Sequence, residues 1–90
     1  MNKFQLFDSV RLREKVMLTD DQTLPAGTSG AIVEMFPDGD MYLVELFGNW
    51  VIRNDTGDFI AADPRHPGAF RETIGIETFS GQQLELAEPA

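Results

Sequence analysis

The stretch LPAGTSGAIVEMFPDGDMYLVEL, residues 24–46, contains the most regular pattern of the chain. Two runs of alternating apolar residues, SGAIVEMF and MYLVELF, flank the four residues PDGD. An alternation with a period of two is typical of strands that bury one face. Proline, aspartate and glycine in this order favour a tight turn. The pattern therefore predicts a β-hairpin formed by residues 29–36 and 41–47.

Three further runs outside this hairpin show the same alternation: SVRLREKV (residues 9–16), RETIGIETF (residues 71–79) and LEL (residues 84–86). No segment carries apolar residues at helical spacing, and Pro25 and Gly27 interrupt the segment after the first run. Five short strands without a helix are typical of a small β-barrel. We therefore predict an all-β fold, a small five-stranded SH3-like barrel, as a single domain over residues 1–88.

Residues 48–70, GNWVIRNDTGDFIAADPRHPGAF, interrupt the barrel pattern. A loop of this length rarely lacks structure of its own in a compact domain, so WVI and DFIAA are predicted to form an additional hairpin around RNDTGD. The insertion contains Trp50, Phe59 and Phe70. With Tyr42, these rings would either line a groove for a peptide or cover the open end of the barrel. We expect the second arrangement.

Composition narrows the class of protein. The chain has 90 residues, no cysteine and no apolar run of membrane-spanning length. Neither a disulfide framework nor a thiolate metal site can form without cysteine. The first ten residues also lack the apolar run of a signal peptide. These features predict a cytoplasmic protein that does not associate with a membrane.

The net charge of −8 is unevenly distributed along the chain. Residues 17–63 contain nine acidic residues and a single basic one, Arg53. Such a segment repels phosphate backbones, which makes DNA or RNA an unfavourable partner. The charge either maintains solubility or forms an acidic face that complements a basic partner.

Two small motifs resemble ligand sites but favour structural roles. Gly27 and Gly30 would expose backbone amides to a phosphate, but a phosphate loop requires a following helix, and here a strand is predicted. We expect them instead to provide a positive φ angle or close strand packing. Asp38 and Asp40 resemble the start of a calcium loop, but the helices and the final glutamate of an EF-hand are absent from the pattern.

Catalytic residues are equally hard to assign. His66, the single histidine, lies between two prolines in DPRHPG, and no serine pattern suggests a nucleophile for it. An exposed loop position is expected. Glu34 and Glu45, on the two strands of the predicted hairpin, would form an acid–base pair only if their environments separated the two pKa values. A polar row facing solvent is the expected outcome.

The stretch that opens this section is also similar to known families. Gly27 and Gly30, followed by Ile32 and Val33, resemble the KOW-type motif of SH3-like barrels. Over nearly the whole chain, the sequence resembles a small bacterial family described as domain of unknown function 4926. The matching positions are Asp8, Val10, Leu12, Leu24, Gly27, Gly30, Ile32, Val33, Tyr42, Val44, Glu45, Gln83 and Leu84. Residues 48–70 form a longer insertion than is usual there, and Gly75 replaces a frequent alanine.

This resemblance implies an SH3-like barrel without an established activity or known functional residues. Members of the family look like small stand-alone proteins, some of them encoded beside proposed toxins. That context would suit an antitoxin or immunity role.

Taken together, these patterns predict a non-catalytic binding module that recognises another protein. The acidic charge suits a basic partner, and the resemblance implies one that is encoded nearby. The contact surface of the module would include Trp50, Asp55, Asp58 and Phe59. No catalytic residue, cofactor or metal site is predicted, and association between copies through an edge strand is compatible with this hypothesis.

The alternative is a nucleic-acid-binding barrel of the KOW type. It would use the basic residues of the first strand, namely Arg11, Arg13 and Lys15.

Overall fold

The structure, a computed structural model, describes residues 3–18, 21–37 and 39–87. Within these ranges the chain forms eight β-strands and one short 3-10 helix. The strands are β1 (Ser9–Leu12), β2 (Val16–Met17), β3 (Thr23–Leu24), β4 (Ser29–Phe36), β5 (Met41–Arg53), β6 (Phe59–Ala61), β7 (Phe70–Ser80) and β8 (Leu84–Leu86), and the 3-10 helix is Gly81–Gln83. The described residues contain no α-helix, so the all-β prediction is confirmed.

The main sheet has the order β8-β1-β4-β5-β7, and β6 pairs with the end of β5 beyond β4. All paired neighbours are antiparallel. β7 and β8 lie at opposite edges of the sheet, yet only Gly81–Gln83 separates them in sequence. The sheet therefore curls into a half-barrel that brings these edges towards each other. β2 and β3 pair separately as a two-stranded hairpin.

The predicted hairpin is present as β4 and β5. A bulge at Val33 shifts its register, since Ile32 faces Val44 whereas Glu34 faces Leu43. Glu45 lies opposite Ala31. The two glutamates are therefore not directly opposite each other, and Glu45 instead accepts a hydrogen bond from the Thr73 hydroxyl at 2.8 Å.

The core lies on the concave face of the half-barrel. Its buried members come from the N-terminal segment and from six of the strands: Phe4, Val10, Leu12, Leu24, Ile32, Tyr42, Val44, Leu46, Phe79 and Leu84. Burying one such aliphatic or aromatic side chain contributes roughly 1.5–3 kcal/mol. The alternating members of β5 supply three of them, as the period-two pattern predicts.

The two glycines of the opening motif have the structural roles expected for them. Gly27 has a φ angle of +90°, in the region that side chains avoid. Gly30 packs so closely on β5 that a Cβ atom there would overlap the carbonyl oxygen of Glu45 and lie 2.7 Å from Val44 Cγ1. Both predictions for these glycines are confirmed.

A polar contact joins the N-terminal segment to this hairpin. The Tyr42 hydroxyl donates to Asp40 Oδ1 and accepts from the backbone N–H groups of Phe4, at 3.0 Å, and Lys3, at 2.6 Å. The Phe4 and Tyr42 rings meet edge-on with centroids 5.3 Å apart. Asp40 is thus part of a structural contact, and Asp38 lies outside the described residues.

Candidate interaction surface on the arm

β5 continues for six residues beyond the predicted end of its strand at residue 47. The continuation carries residues 48–70, which we call the arm, away from the core. The predicted additional hairpin is present, with Ile52 facing Ile60 and Arg53 facing Phe59. The beginning of β7 pairs along the other side of β5, so the arm has three strands. The radius of gyration is accordingly 14.3 Å, compared with about 12 Å for a compact domain of this length.

One face of the arm carries two aromatic rings and an arginine. Phe59 and Phe70 contact each other edge-on with centroids 5.2 Å apart. The guanidinium of Arg53 lies 5.1 Å from the centroid of Phe59. Phe59 remains 48% exposed, so this cluster is open to solvent. Val51 is the cross-strand partner of Phe70 and lies buried beneath this cluster.

The opposite face of the arm is also apolar. Trp50 and Ile52 are two residues apart on β5 and therefore share a face. Ile60 joins them, because it lies directly opposite Ile52. Trp50 is 37% exposed, and Ile60 is exposed as well. The arm thus presents large apolar side chains on both sides.

The expectation that these aromatic residues cover the open end of the barrel is wrong. Trp50, Phe59 and Phe70 are all exposed and lie outside the core cluster, whereas Tyr42 is fully buried within it. The reason is the length of β5. Its pairing with β4 extends only to Leu46, and beyond that point no core strand faces the apolar side chains of the arm.

The acidic residues predicted to contact a partner lie at the tip of the arm, in the turn formed by residues 54–58. The Asn54 side chain organises this turn, since its Oδ1 accepts from Thr56 N at 3.1 Å and Asp58 N at 2.8 Å. Asp58 accepts from the Thr56 hydroxyl, and Asp55 is exposed. The structure brings Asp55, Asp58 and Phe59 together near the tip. Trp50 lies towards the base, on the face opposite to Phe59.

The return segment between β6 and β7 contains an exposed ion pair. Arg65 Nη2 lies 3.1 Å from Asp63 Oδ2. Hydrogen bonds from Arg65 hold the pKa of the Asp63 carboxyl below its usual value, and the same contact raises the pKa of Arg65. His66 is exposed and its Nδ1 accepts from the N–H of Gly68 at 3.0 Å, so its predicted loop position is confirmed.

Arg71, at the base of the arm, has a role that no sequence pattern indicated. Its guanidinium donates to the carbonyl oxygen of Gly48 through Nε and Nη2, at 3.1 and 2.9 Å, and to Ser29 Oγ at 2.5 Å. It also lies 5.7 Å from the Phe47 ring. These contacts fix the arm to the start of β4. They span 42 residues of sequence, so only the folded chain brings the groups together.

An open cavity of about 360 Å³ lies beside Arg71. Its walls come from residues 24–29 and 47–49, together with Arg71 and Ile74. No carboxylate or histidine lines it, so it offers no acid–base pair. In the part of the chain that the structure describes, no three residues among His, Asp and Glu approach closely enough to hold a metal ion.

Two of the three bases named for the nucleic-acid alternative, Arg11 and Arg13, are paired with a carboxylate of β8. Arg11 Nε lies 2.5 Å from Glu85 Oε2, and Arg13 Nε lies 3.9 Å from Glu85 Oε1. One carboxylate therefore offsets part of the positive charge that the nucleic-acid alternative requires.

Helices long and apolar enough to cross a membrane do not occur in residues 3–18, 21–37 and 39–87. Searches against family models, curated proteins and solved structures find no match to the chain. The geometry of the arm and the sheet is therefore the basis on which a function has to be inferred.

Proposed function

We propose that the chain is a non-catalytic binding module that recognises another protein through the arm. The observation that carries this proposal is the exposure of apolar side chains on both faces of the arm, with Trp50 on one and Phe59 on the other. Aromatic residues dominate the energy of protein interfaces, and contiguous exposed apolar surface marks interaction sites. The core contains neither residue, so both are free to contact a partner.

The acidic tip supports a basic partner. Asp55 and Asp58 lie next to Phe59 in the turn, so an apolar contact and a charged rim occur together. Charges at the rim of an interface accelerate encounter and select the partner. A basic protein encoded nearby, neutralised by this module in an antitoxin or immunity role, fits that surface. The strand order and the 3-10 helix before β8 support an SH3-like barrel as the scaffold.

A nucleic-acid partner is less favoured by the charges. Arg11 and Arg13 share the carboxylate of Glu85, and Arg71 donates to Gly48 and Ser29 at the base of the arm. Phosphate contacts would have to replace these partners while the net charge of the chain opposes approach.

The experiment is a capture of partners from a lysate of the encoding organism with the tagged full chain, at low and high salt. We expect one stoichiometric protein, bound less strongly at high salt. Combined Trp50→Ala and Phe59→Ala should abolish capture, and combined Asp55→Lys and Asp58→Lys should weaken it. Met17→Ala is the matched control, because Met17 is exposed on β2, outside the arm.

Two outcomes would contradict the proposal. A partner retained equally by the arm variants would show that the arm is not the contact surface. Recovery of nucleic acid alone, released by salt, would favour the KOW-type alternative.

A further inference from the structure

β7 is a long strand with one unoccupied edge. It has eleven residues, which corresponds to roughly 36 Å of backbone. Within the described ranges it pairs only with β5, and no other backbone group bonds to its outer side. The other unoccupied edges among the described residues of the main sheet are shorter: β6 and β8 have three residues each, and β4 lacks a partner on its β1 side over residues 33–36. β7 thus offers the longest row of unpaired N–H and C=O groups, which ends at Ser80, whose N–H donates to Gln83 Oε1 at 2.9 Å.

Residues 75–80 form the regular part of this edge. Their pairing with residues 41–46 of β5 is continuous, whereas the register shifts on the arm side of Leu46. Neither proline nor lysine, which commonly protect an edge from further pairing, occurs in β7. Ile76 is 54% exposed beside this edge. A stretch of six residues equals the usual length of a strand in a sheet, so a complete strand can be added here.

The charges along this edge are acidic. Glu77 projects to the same side as Gly75 and forms no hydrogen bond or ion pair in the described structure. Glu45 lies opposite Ile76 and accepts from the Thr73 hydroxyl at 2.8 Å. The one base within β7, Arg71, is turned towards Gly48 and Ser29. The edge therefore combines carboxylates with an exposed aliphatic side chain.

These charges decide between the two kinds of strand that would fit. A second copy, paired antiparallel with residue 77 opposite residue 77, would bring the two Glu77 side chains together, and like charges facing each other destabilise a sheet. A strand with lysine or arginine would instead place opposite charges together. The carboxylates therefore favour a basic segment over a second copy.

We propose that an extended basic segment of a partner protein adds to the sheet along residues 75–80 of β7. Its lysine or arginine side chains, at alternate positions, would lie beside Glu77, and the intervening apolar side chains would lie beside Ile76. Main-chain hydrogen bonds supply affinity in this mode, and the alternating side chains supply specificity. The inference rests on the proposed function in that the partner is a protein, but it uses a surface separate from the faces of the arm.

The test is selection from a displayed library of random peptides of about 12 residues, long enough to cover the edge, on the full chain. We expect enrichment of peptides with basic residues alternating with β-branched ones. Synthetic copies should bind Glu77→Lys at least about tenfold more weakly than the original chain. Glu34→Lys is the matched control, since it reverses an exposed carboxylate on β4 and should leave binding unchanged.

Backbone methylation separates strand addition from simple charge attraction. Peptides N-methylated at every residue have no N–H group to donate to the ladder and should not bind. Enrichment without the basic alternation, or binding that survives methylation or Glu77→Lys, would overturn the proposal. Peptides that lose binding to the Trp50→Ala and Phe59→Ala variant, but not to Glu77→Lys, would support the arm and refute the edge. Dimerisation of the chain that is strengthened by Glu77→Gln, which removes the facing like charges, would assign the edge to a second copy.

Discussion

Residues 41–47 and 48–53 belong to one continuous strand, β5, but meet different surroundings. In the first half, Tyr42, Val44 and Leu46 are at most 1% exposed. In the second half, Val51 is buried beneath Phe59 and Phe70, but Trp50 is exposed although it is the largest apolar residue of the strand. Both halves have strands paired on each side. Pairing alone therefore does not bury a strand.

The difference lies in what covers the faces of the sheet. The first half lies within the half-barrel, where β1 and β8 curl over the same concave face and supply Val10, Leu12 and Leu84. The second half lies beyond the pairing with β4, so no second layer of described residues covers it. A sheet face becomes a core only when another layer packs on it. The apolar residues of the arm are consequently left for another contact.

Truncation of one apolar residue in each region should give the largest contrast. Leu46→Ala leaves a cavity in the core and should lower the free energy of unfolding by about 2–5 kcal/mol. Ile60→Ala removes a side chain exposed on the arm and should cost less than about 1 kcal/mol. Urea denaturation of both variants measures this. Similar losses for the two would mean that the arm contributes to the core.

Alanine at two glycines tests the same contrast through the backbone. A Cβ atom at Gly30 would overlap β5, so Gly30→Ala should cost about 3 kcal/mol, near the upper range for overpacking. Gly57, at the tip of the arm, has a φ angle of +87° and open space around it. Gly57→Ala should therefore cost only about 1 kcal/mol for the left-handed conformation. The ranking is checked by the midpoints of urea unfolding, and a reversed order would refute the close contact at Gly30.

Tyr42→Phe addresses the polar contact that holds the N-terminal segment to the core. The substitution leaves the buried N–H of Phe4 without its acceptor, which should cost about 1–3 kcal/mol. Stability measured by urea unfolding at neutral pH gives this value directly. A loss of only a few tenths of a kcal/mol would mean that the N-terminal segment contributes little to the fold.

The same contact should make stability depend on pH at both extremes. The hydrogen bond from the Tyr42 hydroxyl holds the pKa of Asp40 below its usual value. The contact therefore makes its full contribution to the free energy of unfolding above about pH 3.9, the usual pKa of an aspartate. That contribution is lost as the pH falls through the lowered pKa. Burial, together with the hydrogen bond to Asp40, raises the pKa of Tyr42 above its usual value. The protonated hydroxyl therefore makes its full contribution to the free energy of unfolding below about pH 10. That contribution is lost as the pH rises through the raised pKa. In Tyr42→Phe the urea midpoint should depend less on pH at both ends, because the titrating hydroxyl and its effect on the pKa of Asp40 are both removed. Asp40→Asn is the control: it should remove the decline at the acidic end and keep most of the decline at the alkaline end, which burial of Tyr42 causes.

Features that depend on neighbouring residues were predictable from the sequence. The β4–β5 hairpin, the arm hairpin and the roles of Gly27 and Gly30 all follow from local alternation and turn chemistry. The acidic tip next to Phe59 follows from the same pattern, because the turn and β6 are adjacent in sequence.

Features that depend on distant parts of the chain were not predictable. The exposure of Trp50 and Phe59 depends on β4 ceasing to pair with β5 at Leu46, and neither segment contains a signal for that point. The bulge at Val33, which places Glu34 opposite Leu43, likewise has no signal in the sequence. Assigning Trp50 and Phe59 to opposite faces of the arm requires the register between β5 and β6, and strand alternation alone does not give that register.

The smallest expected effect concerns the tip of the arm. Asn54→Ala removes the side-chain oxygen that accepts from Thr56 and Asp58, and each such exposed bond is worth about 0.5–1 kcal/mol. Because the arm packs outside the core, we expect the loss to appear as easier local opening rather than lower global stability. Hydrogen exchange should accelerate several-fold for amides of residues 52–60 and stay unchanged for residues 42–46. Equal acceleration in both regions would show that the arm and the core unfold as one unit, and the two halves of β5 would then differ in exposure but not in stability.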